Sequence, residues 1–270
     1  MAAPSLQIKQ QTLSGERVRI PASLRSERLF FSAIAILFVA AVFFGFAQTF
    51  YLYGHVAFPA WKKAFAPPHP LIVYVHGTVL SAWFLLLITQ TTLIASHNVR
   101  LHRRLGIAGF VLACLMLLVS FGTVCEHLAR AFPPGDPRLA GHGGGSFTVI
   151  FDLVVFAVLV YFGYRYRSNP AAHKRLMLIA TVGILPPALD RWPVLIHGHF
   201  QIALNVTYGI LLLIVIYDVL SRKRVHPATF GGGLLYVALR NPATSALFAN
   251  NKTWWLHLAI HAQNFGRHLY

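Results

Sequence analysis

Six runs of mostly apolar residues, each long enough to cross a bilayer, lie at 29–53, 71–95, 105–128, 147–164, 176–196 and 200–220, separated by short polar or basic segments. A spanning helix needs about 20 such residues, and lipid offers the backbone no hydrogen-bond partner, so only helices or closed barrels can cross. The runs lack the ten-residue alternation of barrel strands. An all-α, polytopic transmembrane helix bundle of six spans is therefore predicted. A seventh run, 229–249, opens on Gly231-Gly232-Gly233 and carries Arg240-Asn241-Pro242 at its centre. That combination is costly for a lone lipid-facing helix, and a broken or re-entrant helix is predicted there.

The charge balance has a plain source in this topology. Twenty-three Lys and Arg face seven Asp and Glu, a formal net charge of +16, yet charged residues make up only 11% of the chain. Residues 1–28 form a basic tail leading into a run too long for a signal-peptide core of about 7–15 residues, so an uncleaved anchor is predicted. With that tail in the cytoplasm, fifteen Lys and Arg fall on the cytoplasmic face and five on the other, with three beyond the sixth span. This asymmetry orients the chain in a bacterial inner membrane, and it calls for lipid rather than nucleic acid as partner. Residues 29–249 make up the bundle, and 250–270 read as an interfacial tail anchored by Trp254-Trp255. Cys114 and Cys125 share one apolar run and read as packing residues, offering no disulfide framework.

Ionisable groups inside spans are expensive, and they mark candidate functional sites. His76, Trp83 and Gln90 recur every seven residues in the second run and so share one helix face. That stripe is either an inward polar track or a helix–helix seam held by hydrogen bonds. His102 and His173 each sit at the cytoplasmic start of a span. Two imidazoles at one depth on different helices would suit the axial positions of a haem iron, and the plainer reading makes them interfacial anchors. On the other side, His76 would pair in the same way with His197 or His199. Glu126, His127, Asp152 and Asp190 lie near that outer face too and include donor types that zinc or iron takes, although no HExxH or Glu-x-x-His spacing occurs in a span. His257 and His261, one turn apart in the tail, offer a further two-imidazole pair. Asp190-Arg191 reads as a charge pair at the interface.

Val75-His76-Gly77 with Trp83 and Gln90, then Leu101-His102-Arg103-Arg104-Leu105-Gly106, Ala172-His173-Lys174-Arg175-Leu176-Met177-Leu178 and Arg224-Val225-His226-Pro227-Ala228-Thr229, resemble a family of uncharacterised bacterial multi-pass membrane proteins over about residues 30–250. That resemblance implies six or seven helices and no particular activity. A second, shorter resemblance is to di-haem cytochromes of the b561 type. It implies haem ligation by His76, His102, His173 and either His197 or His199.

Three functions follow as alternatives. The first is an electron-transfer protein with b-type haem in bis-histidine sites. The second is a non-catalytic accessory subunit of a larger membrane complex, with no cofactor. The third is a metal-dependent membrane hydrolase using zinc or iron at the outer carboxylates and histidines.

Overall fold

The computed structural model describes residues 22–57, 68–136, 138–192, 200–241 and 252–268. These form helices α1 (Ala22–Phe46), α2 (Leu71–Ala95), α3 (Val99–Ala131), α4 (Arg138–Arg165), α5 (Pro170–Gly183), α6 (Pro186–Leu189), α7 (Phe200–Arg222), α8 (Pro227–Arg240) and α9 (Lys252–Arg267), with no strand among the described residues. A π-helical turn, Ala47–Tyr51, extends α1. Four stretches are long and apolar enough to cross a membrane: Ser26–Tyr51, Leu71–Ala95, Val99–Ala131 and Gln201–Arg222. Their outward surfaces are apolar, with Leu118 72% and Leu213 50% exposed, while Arg175 and Asp218 are fully buried. This inverts the arrangement of a water-soluble bundle, where charge lies outside.

Local sequence explains where the helices begin and end. Asn98 caps α3 by accepting from Leu101 N at 3.2 Å, and Asn169 caps α5 by accepting from Ala172 N at 3.2 Å. His226 caps α8 through Nδ1, which accepts from Ala228 N at 3.0 Å. Proline at the first position of α5 and α8 loses no helical hydrogen bond there. His97, with φ 63°, closes α2, and the Asn98 N–H returns to Leu93 O at 2.8 Å, a left-handed helix end. These three starts define the basic end of the bundle.

One of the predicted runs differs from what is observed. The run at 176–196 is not one helix: α5 stops at Gly183, and Pro186-Pro187, which lack N–H donors, restart a single turn, α6. The turn is packed by α1. Trp192 Nε1 donates to Ala41 O at 2.9 Å, and a Cβ on Gly45 would strike the Ala188 carbonyl. The tail forms α9, which packs on the far end of α3, where Ala259 and Ala262 join Cys125, Leu128 and Phe132 in a core of their own. Gln263 Nε2 donates to Phe132 O at 2.5 Å, and a Cβ on Gly266 would strike the Cys125 carbonyl. At the other predicted run, 229–249, α8 ends at Arg240, and residues 242–249 lie outside the described residues.

Buried polar links hold α8 in place. At the basic end Arg175 Nε donates to Asp218 Oδ1 at 2.9 Å and Arg175 Nη2 to the same oxygen, while Asp218 Oδ2 accepts from Thr229 Oγ1 at 2.5 Å and from His226 N at 3.1 Å. Nearer the other end Tyr236 OH and Thr207 Oγ1 are 2.7 Å apart, and Arg240 Nε pairs with Asp152 Oδ1 at 2.6 Å. Thr229, Tyr236 and Arg240 lie on one face of α8, seven and four residues apart.

Removing one member of a buried pair strands the other charge, at a cost of about 3–5 kcal/mol. Asp218→Asn is therefore expected to lower the thermal midpoint of the detergent-solubilised protein sharply, and an Arg175→Met/Asp218→Leu double replacement to restore much of it. An unchanged midpoint in Asp218→Asn contradicts the pairing. Gly266→Val should lever α9 off α3 and open it to limited proteolysis, while Gly231→Ala, with no atom within 4 Å of its added Cβ, should not.

Candidate functional site

The stripe on α2 meets three different partners. His76 Nδ1 lies 3.2 Å from Ser120 Oγ on α3, and Trp83 Nε1 donates to Thr181 Oγ1 on α5 at 3.2 Å, its ring set edge-on to Phe156 at 5.1 Å. Gln90, the third member, has a buried Oε1 with no hydrogen-bond partner. Its main-chain carbonyl is within reach of the His102 imidazole. The seam reading thus accounts for His76 and Trp83, and Gln90 belongs with the histidines at the basic end.

There α3 and α5 bring His102 and His173 together edge-on, ring centres 6.3 Å apart and planes at 85°. His173 Nδ1 is 2.8 Å from Gly163 O. A carbonyl only accepts, so Nδ1 carries the hydrogen and Nε2 keeps its lone pair, the tautomer a metal ligand needs. His102 Nδ1 is buried without a hydrogen-bond partner. One turn further along α3, Gly106 leaves space: a Cβ there would meet only Gln90 Nε2, at 3.9 Å. His102 and His173 are the two imidazoles that this end of the bundle would offer to a metal-centred group.

The outer carboxylates are arranged differently. Glu126, 1% exposed, is bound one turn along its own helix by Arg130 Nε at 2.8 Å, while His127 beside it is exposed. Asp152 pairs with Arg240, and Asp190 closes α6 through its N–H to Pro186 O at 2.9 Å. Arg191, next to Asp190, donates from Nη1 to Pro187 O at 2.5 Å, and its guanidinium lies 4.8 Å from the Phe46 ring centre. Among the described residues no three His, Cys, Asp or Glu side chains stand close enough to hold a metal together. Glu126, His127, Asp152 and Asp190 therefore do not form one cluster. His197 and His199 lie outside the described residues. His257 and His261 are both on the exposed face of α9.

Sequence reasoning missed the partners of two buried arginines, Arg175 and Arg240. The available signal was an arginine in one apolar run and a lone aspartate in another, Arg240 with Asp152. Nothing local to Arg175 marks Asp218, 43 residues later.

No protein-family model matches the chain, and neither does any curated protein or solved structure.

Proposed function

We propose that this chain is a membrane-embedded redox protein that holds a b-type haem between His102 and His173 at the basic end of the bundle. The observation that carries the reading is the 6.3 Å spacing of the two rings, taken with the hydrogen bond that turns His173 Nδ1 away to Gly163 O. Bound there, the group would supply reversible one-electron transfer. The protein's part is ligation and setting. Gly163 O fixes the ring angle of His173, and Arg103 and Arg104 follow His102 in sequence as counter-charges for an anionic group. The exposed apolar surfaces of α2 and α3 keep the surroundings in lipid.

The same reading extends to the topology. α4 and α5 with α6 complete six crossings, α8 enters from the basic end without traversing, and the Lys and Arg bias sets that end and the amino terminus in the cytoplasm of a bacterium. His76, fourteen residues before Gln90, lies about 21 Å along α2 from the His102 layer. A second bis-histidine site, His76 with His197 or His199, would serve electron movement across the membrane. A zinc- or iron-dependent hydrolase has less support, since Glu126 and Asp152 each answer an arginine.

The test is a reduced-minus-oxidised visible spectrum of the full-length protein in detergent. Haem b bands are expected in the wild type, diminished at least twofold in His102→Ala and in His173→Ala, and retained in His127→Ala. A folded but colourless wild type overturns the reading and leaves the accessory-subunit function in its place.

A further inference from the structure

The turn joining α7 to α8 borders an open, half-exposed cavity of about 460 Å³ lined by Arg222, Arg224, Val225, His226 and Pro227. It opens at the end of the apolar stretch Gln201–Arg222, the level at which lipid headgroups meet a spanning helix. Both arginines are exposed, and neither makes an ion pair among the described residues. The nearest acids are already engaged. Asp218 accepts from Arg175, Thr229 and the His226 N–H, and Glu27 holds Lys174. Lys223, forced to φ 58° in the same turn, adds a third exposed cation.

We propose that this cavity binds a phosphate-bearing anion, gripped by Arg222 and Arg224. Guanidinium groups match phosphate oxygens in pairs, which favours this chemistry over a simple carboxylate or halide. His226 contributes a neutral donor. Its Nδ1 accepts from Ala228 N–H at 3.0 Å, so the hydrogen resides on Nε2. Burial and the charges of Arg175 and Arg222 lower the pKa of that imidazole. The cavity is many times the roughly 30 Å³ of a water molecule and has room for more than the phosphate alone. The phosphate has two sources, a phospholipid headgroup or a soluble phosphate compound, and the chemistry at the arginines is common to both. The site is independent of the haem reading.

The test measures the thermal midpoint of full-length protein in phosphatidylcholine nanodiscs against increasing phosphatidylglycerol, and separately against inorganic phosphate. The wild type is expected to be stabilised. In Arg222→Gln/Arg224→Gln the apparent affinity should fall about thirtyfold, near fivefold for each charge removed. Arg165→Gln/Arg167→Gln, removing two exposed charges from the same end of the bundle, should change it no more than about fivefold. Stabilisation by phosphatidylglycerol alone identifies a headgroup site, and stabilisation by inorganic phosphate with the same dependence on Arg222 and Arg224 identifies a soluble ligand. Equal losses in the two double variants, or no stabilisation by either probe, overturn the proposal.

Discussion

The fully buried ion pair of Arg175 and Asp218 ties three helices together in a region with no water to share the work. Arg175 belongs to α5, Asp218 to α7, and the carboxylate Oδ2, which also accepts from Arg175 Nε at 3.2 Å, takes the first residues of α8 through Thr229 and the His226 N–H. Arg175 Nη1 also donates to Ala171 O at 2.8 Å, so the guanidinium is satisfied within the protein. Desolvating two charges costs several kcal/mol each, and only a geometry with this many hydrogen bonds offsets it. The pair therefore fixes the arrangement more than it adds stability. Two residues before Arg175, on the opposite side of α5, His173 points back toward Gly163 and His102. One side of α5 is thus locked to α7 and α8 while the other presents an imidazole to α3.

A second set of links repeats this logic farther along α8. Tyr236 meets Thr207, and Arg240 meets Asp152, so a fourteen-residue helix containing three consecutive glycines is held at both ends by polar contacts. Between them Gly232 sits against Ile179 and Leu159, at distances only a glycine accommodates easily. The absence of a side chain there lets α8 approach α5 closely, and that approach brings Thr229 and Arg240 to their partners.

Much of the frame was legible in the sequence because burial in lipid and helical hydrogen bonding leave so few alternatives. The second span was placed at 71–95, where α2 lies, and Asn241-Pro242 marked the break after Arg240. Depth was legible too: His102 and His173 each sit just inside a helix start, and helix starts on one side share a level. Azimuth was not. Apolar residues occur all round these helices, so periodicity does not say which way a polar side chain turns, and Glu126 and Asp152 answer different arginines. The docking of α9 on α3 rests on small residues, Ala259, Ala262 and Gly266, opposite a main-chain carbonyl, a fit of shape that composition does not encode. The break at Gly183 was signalled by Pro186-Pro187, but the surrounding residues are apolar enough to disguise it as one run.

The central proposal is that His102 and His173 would together hold one haem iron. Electron paramagnetic resonance of the air-oxidised full-length protein in detergent tests it most directly, because the signal reports the axial ligands themselves. The account predicts a low-spin ferric signal of two-imidazole ligation that is lost or converted to high spin when either His102 or His173 is replaced by alanine. A folded wild type with no low-spin ferric signal, or one whose signal survives both replacements unchanged, contradicts it.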